Sequence, residues 1–215
     1  MSQLKELQGL TKVLRLAETS KIKTAESNDD SYTQFLYDVM TYEQKCREEK
    51  QIEKRLKLAT FPHDKSLELF DVQQQPSLSK KQLNQLGTLN WIEQLYNLVL
   101  LGPSGVGKTM LATGLGIEAV KQGYKVIFTT MGELIPQLKT EEITRKSQLR
   151  MKRIREANLI IIDDLMFMAM DQKEANYFFH LINDRHDKAA IILTSNKAPK
   201  EWGELLGDPA ITAAI

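Results

Sequence analysis

The sequence predicts an α/β fold, a parallel sheet flanked by helices and preceded by a small all-α domain. Three observations predict it. Four short apolar runs, 97–101, 125–130, 159–163 and 190–195, alternate with helical segments, the order that a parallel sheet covered on both faces demands. The first run feeds a glycine-rich turn that opens directly into the next helical pattern. Up to about residue 60, by contrast, the apolar spacing is helical on both sides of one polar stretch.

Each element follows from its residues. Leu4, Leu7, Leu10 and Leu14 keep three-to-four-residue spacing and predict a first helix; a second amphipathic pattern covers 31–58, with a polar loop at 19–30 between them. Opposite charges three or four residues apart across 43–57 read as a solvated helix face. Pro62 ends that helix, and 63–90, with Pro76, Gln73–Gln75 and serines on both sides of Leu78, reads as an irregular lead-in. The organisation is therefore a helical domain at 1–60, a lead-in at 61–90 and an α/β core at 91–215. Within the core, Asp171 and Glu174 form a capping signature for a helix running to about Asp187, with Phe178, Leu181 and Ile182 on its buried side.

Composition sets bounds. A chain of 215 residues that is 42% hydrophobic can bury one substantial core and a small companion domain. A net charge of +1 makes no general statement about partners. The lone Cys46 excludes an internal disulfide and fits a reducing cytoplasm. His63, His180 and His186 lack ligand spacing, so no histidine metal site is expected. The first residues lack an apolar signal region, and no run approaches the ~18 apolar residues of a membrane helix. The expectation is a soluble cytoplasmic protein without a membrane partner.

The chemistry concentrates at Gly102-Pro103-Ser104-Gly105-Val106-Gly107-Lys108-Thr109, continued into a helix by Met110. A strand feeding a glycine-rich turn into a helix N-terminus aims consecutive N–H groups at one point, where a polyphosphate can accept them. Lys108 supplies a compact cation for the β and γ phosphates, and the Thr109 hydroxyl is placed to ligate the magnesium ion they carry. The second feature is the apolar run 159–162 ending in Asp163 and Asp164, at the carboxyl edge where open α/β sheets place their sites. Asp163 is expected to serve the magnesium ion and Asp164 to polarise the attacking water. Taken alone, the pair could also be a cap or turn. The third is Asn196, after Thr194 and Ser195 at the end of the last strand. Its amide could hydrogen-bond the γ-phosphate and the water, or begin the turn before Pro199.

Together these elements resemble the AAA+ ATPases, with 102–109 as Walker A, 159–164 as Walker B and Asn196 as sensor 1. The stretch 65–71, Thr194-Ser195-Asn196 and the segment 207–215 look most like the IstB-type transposition helper ATPases of insertion sequences, near relatives of the DnaC-type helicase loaders. The resemblance covers 65–215 well and the N-terminal helices loosely. It implies ATP and Mg2+ as cofactors, catalytic roles for Lys108, Asp164 and Asn196, and assembly of a homo-oligomer on double-stranded DNA. It also implies deformation of that DNA, recruitment of a transposase and disassembly on hydrolysis. Two features depart from the family. Met166 stands where relatives have glycine, followed by Phe167, Met168 and Met170. The chain also stops at Ile215, where relatives continue into an arginine finger and a lid, so weak hydrolysis is expected.

A separate argument concerns DNA. Arg145, Lys146, Arg150, Lys152, Arg153 and Arg155 lie on one predicted helix without an acidic residue, a run that attracts phosphate backbones through counterion release unless it is simply a solvated face. Lys5, Lys12, Arg15, Lys21 and Lys23 make a weaker second patch. A replicative helicase loader, with a helicase as partner, would use the same core. A small-molecule P-loop kinase would need an acceptor pocket and an arginine-bearing lid, and a scaffold would not need Lys108, Asp163 and Asp164.

Overall fold

The computed structural model describes residues 32–72, 75, 77–165, 170–199 and 201–202. The predicted helix around Leu4 to Leu14, the N-terminal basic patch, Met166 to Met168 and the segment 207–215 lie outside them. The chain divides into two compact units, Met1–Lys54 and Arg55–Ile215. In the first, the described part is a long helix, α1 (Tyr32–Ala59), whose last residues belong to the second unit. Arg47 pairs with Glu43 one turn earlier, at 2.7 Å, the local charge pairing that its composition implies.

The second unit contains a four-stranded sheet in the order β1-β4-β3-β2, formed by β1 (Leu98–Leu101), β2 (Val126–Thr130), β3 (Leu159–Asp163) and β4 (Ala190–Ser195). All pairings are parallel, with Leu101 opposite Ser195 and Thr130 opposite Asp163. Parallel pairing forces helical crossovers, and these are α4 (Lys108–Lys121), α5 (Met131–Lys139), α6 (Arg145–Arg155) and α7 (Gln172–Arg185). The register brings the carboxyl ends of β1, β4 and β3 to one edge, where the glycine-rich loop and both aspartates lie.

Alternation along the central strands divides the core between two faces. Ile160 and Ile162 join Met131, Leu134, Met151, Ile154 and Phe178 of α5, α6 and α7 in one buried cluster. Ile161 meets α4 on the opposite face: a Cβ added at Gly116 would stand 2.7 Å from its Cδ1 and 2.8 Å from Cε1 of Phe61. The helix bearing Lys108 is thus seated directly on the strand bearing Asp163. β1 and β2 are the edge strands of this sheet, and on β1 Val99 and Leu101 are 40% and 46% exposed.

The lead-in is more ordered than its composition suggests. It holds a 3-10 turn at Leu67–Leu69 and a short helix, α2 (Lys80–Gly87), and a further short helix, α3 (Asn90–Glu93), starts at its boundary with the core. α2 starts on a reciprocal capping box: Ser79 Oγ accepts the Gln82 N–H, and Gln82 Oε1 accepts the Ser79 N–H. The same device starts α7, where Asp171 and Glu174 cap each other's amides at 2.8 and 3.1 Å. That helix ends at Arg185, and Asp187 takes a left-handed conformation beyond it.

Candidate functional site

The loop after β1 is anchored at its start, where the Gly102 N–H donates to the carbonyl of Ser195 on β4 at 3.2 Å. Gly105 and Gly107 have φ of 83° and 87°, a region that a side chain disfavours. Gly107 is also the N-cap of α4 and has no side chain with which to cap it, so the first amide groups of the helix are left for a ligand. Pro103, Ser104 and Gly105 are exposed; Gly102, Val106, Lys108, Thr109 and Met110 are partly buried. Lys108 arches over the loop and donates from Nζ to the carbonyls of Gly102 and Pro103 at 2.7 and 2.9 Å. An ammonium has three donors, and incoming phosphate oxygens can replace neutral carbonyls with charged acceptors.

Thr109, on the first turn of α4, faces Asp163 at the end of β3, with its Oγ1 3.0 Å from each carboxylate oxygen. A hydroxyl and a carboxylate side by side form the hard-oxygen donor set that suits magnesium brought in on phosphates, so the residues present fit that ion. Among the described residues no cluster of three or more His, Cys, Asp or Glu side chains could hold a metal.

Asp163 is 5% exposed and Asp164 lies exposed beside it. The two carboxylates therefore experience different surroundings. Loss of water, then repulsion from Asp163, pushes the Asp164 carboxyl above its ordinary range, against the opposing pull of Lys108. Asp164 also takes φ 56°, the left-handed region in which a non-glycine residue needs local support.

Support comes from Thr194, whose role the sequence pattern does not reveal. Its hydroxyl donates to Asp163 Oδ1 at 2.6 Å and accepts the Asp164 N–H at 3.0 Å. The available signal was positional, since two neighbouring parallel strands both end in polar residues. Asn196, by contrast, sits exposed just past β4 and makes no hydrogen bond to another described residue.

A pocket of about 330 Å³ adjoins the loop, walled by Phe70, Leu78, Val99, Leu101, Val106 and Leu111. Phe70 comes so close that a Cβ on Gly107 would stand 3.3 Å from its Cε2. A larger groove of about 910 Å³ lies along α5, α6 and α7 and contains none of these groups.

α6 does not present its six basic residues as one free set. Arg150 is turned inward and donates to Thr60 Oγ1 at 2.8 Å and to the Phe128 carbonyl on β2 at 2.6 Å. Burial lowers its pKa. Arg155 is held by both carboxylate oxygens of Glu141 and lies 3.8 Å from Asp184. Lys152 is exposed, 3.9 Å from Glu156. Arg145, Lys146 and Arg153 are exposed, with no ion pair to another described residue. The acids that neutralise this helix come from outside it.

A family model described as IstB-like ATP binding protein matches residues 2–215. An ATP-binding protein of an IS21-like insertion sequence from Bacteroides fragilis is 39% identical over 191 residues, covering 89% of this chain and 73% of that protein. The corresponding IS21 protein of Pseudomonas aeruginosa is 37% identical over 196 residues, covering 91% and 74%. Among solved structures, the replication initiator DnaA bound to AMPPCP and single-stranded DNA superposes with a TM-score of 0.57 at 21% identity, over 72% of this chain and 48% of that one. The chain thus spans about half the length of that initiator. The DnaC helicase loader gives a TM-score of 0.55 at 20% identity, over 69% and 90%. At such identities the structural likeness shows the fold, an AAA+ type α/β core.

Proposed function

The chain belongs to the IstB-like ATP binding protein family, and from that premise we propose that it is an ATP-dependent helper of transposition. In this reading it assembles on double-stranded DNA, deforms it, recruits a transposase and is dismantled by hydrolysis. The observation that carries the reading is the meeting of Lys108, Thr109, Asp163 and Asp164 at one edge of the sheet.

The proposed roles follow from that geometry. The amides of 105–109 and Lys108 bind the phosphates, and the base lies in the apolar pocket beside Phe70. Magnesium, when bound, would be held by Thr109 and Asp163, directly or through water, and would supply charge neutralisation to the phosphates. Asp164, exposed and harder to ionise than an ordinary aspartate, accepts a proton from the attacking water. Asn196 reaches the γ-phosphate from the end of β4, a role that depends on the ligand's presence. Turnover by an isolated subunit is slow in this scheme, because a neighbouring copy completes the charge around the phosphates.

A replicative helicase loader would use the same fold. The 39% identity to an insertion-sequence protein, against 20% to the loader, favours the transposition reading. The test is the particle mass with a non-hydrolysable ATP analogue, with and without a duplex of a few turns. A large assembly that needs both ligands and is lost in Lys108→Ala is the expected result. A monomer under every condition would remove the assembly part of the proposal.

A further inference from the structure

We infer that Thr194 is a positioning residue through which a single hydroxyl sets both carboxylates of the site, the one behind the metal and the one facing water. The inference rests on the nucleotide reading above and assigns this residue a task within it.

The placement is unusual for a strand interior. β4 runs Ala190-Ile191-Ile192-Leu193 before Thr194, and Thr194 is fully buried. At that position valine would satisfy the same steric demand, and a buried hydroxyl costs stability unless its hydrogen bonds are made. Both are made, and to the two groups that matter. Oγ1 is 2.6 Å from Asp163 Oδ1 and 3.0 Å from the Asp164 nitrogen.

The direction of each bond is fixed by chemistry. A hydroxyl carries one proton; an ionised carboxylate can only accept and an amide can only donate. Thr194 therefore gives its proton to Asp163 and a lone pair to Asp164. The first bond restrains the carboxylate that Thr109 also contacts. The second helps hold Asp164 at φ 56°, and the Thr194 carbonyl accepts the Leu165 N–H at 2.9 Å to close the same turn. The hydroxyl so couples metal-side geometry to water-side geometry, whereas the carbonyl bond would persist with any residue.

Thr194→Val removes the hydroxyl at constant shape, and Thr194→Ser restores it. Binding of a fluorescent ATP analogue is measured in EDTA and across a Mg2+ titration, alongside ATP turnover and thermal melting. For Thr194→Val the expected result is affinity in EDTA within about twofold of wild type, and a gain in affinity on adding Mg2+ that is smaller by roughly tenfold. Turnover falls by at least about tenfold at saturating nucleotide, and Thr194→Ser recovers most of both effects. An unchanged Mg2+ gain and turnover would overturn the inference. An equal loss of affinity with and without Mg2+ would overturn it too, because that pattern is merely structural. If the valine variant does not fold, Thr194→Cys, with a weaker donor, takes its place under the same criteria. Wild-type protein that binds no ATP analogue would overturn the nucleotide reading itself, an outcome distinct from a Thr194→Val protein that binds and responds to Mg2+ as wild type does.

Discussion

Asp164 is where a single group carries both a stability term and a functional one. Its carboxyl is raised chiefly by loss of water and next by Asp163, so the folded chain holds a proton there more readily than the unfolded chain. The sign follows: this group favours folding below its unfolded pKa, and the contribution is lost as pH rises through its folded value. The proposed role demands the opposite form, the ionised one, so turnover should fall on acidification at a pH above the ordinary aspartate range. Asp164→Asn separates the two, because an amide cannot ionise. The variant should bind nucleotide and DNA yet release DNA slowly, and its melting temperature relative to wild type should rise as pH is raised from below the ordinary aspartate range to neutrality. A difference in melting temperature that does not change with pH would show that Asp164 titrates as an ordinary carboxylate, and wild-type release rates would remove its role with water.

At the scale of elements, α6 shows why a basic run is a weaker signal than its composition implies. Arg150 donates to a residue 90 positions away and to a carbonyl 22 positions away; the Glu141 and Asp184 partners of Arg155 also lie outside the helix. Glu141 stands only four residues before the helix, but no window of sequence around 145–155 contains Thr60, the Phe128 carbonyl or Asp184. Reversal of Arg145, Lys146 and Arg153 to glutamate should weaken DNA binding and lower the slope of log affinity against log salt by roughly one unit for each phosphate no longer neutralised. Arg150→Met should leave that slope unchanged and cost about 1–3 kcal/mol of stability in chemical denaturation, since the Phe128 carbonyl is deprived of a charged donor. The reverse outcome, a slope reduced by Arg150→Met alone, would return Arg150 to the DNA surface. The same contrast explains what was legible. All four strands lie where their apolar runs predict: β3 and β4 are buried at every position, because a doubly covered parallel strand writes its burial into consecutive residues, while β1 kept its apolar run although it alternates partly buried and exposed residues. The glycine-rich turn after β1 and the adjacent aspartates at the end of β3 were visible as contiguous stretches of sequence. α2 was hidden by the glutamines and Pro76 around it, although Ser79 and Gln82 did carry its capping signal. Thr194 acts on residues 30 and 31 positions away, and only the strand order β4-β3 makes it their neighbour.

For the whole molecule, the division into Met1–Lys54 and Arg55–Ile215 determines where nucleotide binding should be felt. Every group placed around the proposed ligand belongs to the second unit: Phe70 and the loop before α4, Lys108 and Thr109 on α4, both aspartates, and Thr194. A ligand that binds only the folded form stabilises what it touches, by about 2.7 kcal/mol at a hundredfold excess over its dissociation constant. Hydrogen exchange of the monomer should therefore slow on adding ATP analogue and Mg2+ in α4, at the carboxyl ends of β1, β3 and β4, and in the 3-10 turn that packs on α4 at Gly114. Amides of α1 between residues 32 and 54 should exchange at unchanged rates. Adding duplex DNA under conditions of assembly should then protect the exposed face of α6 bearing Arg145, Lys146 and Arg153. Protection of α1 by nucleotide alone would mean that the two units respond together before DNA arrives, and the helical unit would then be part of the nucleotide switch. Slowing confined to the second unit, followed by protection of α6 only with DNA, would instead order the events as nucleotide first and DNA second. That order is the one a helper needs if DNA is to be gripped in the ATP state and released after hydrolysis.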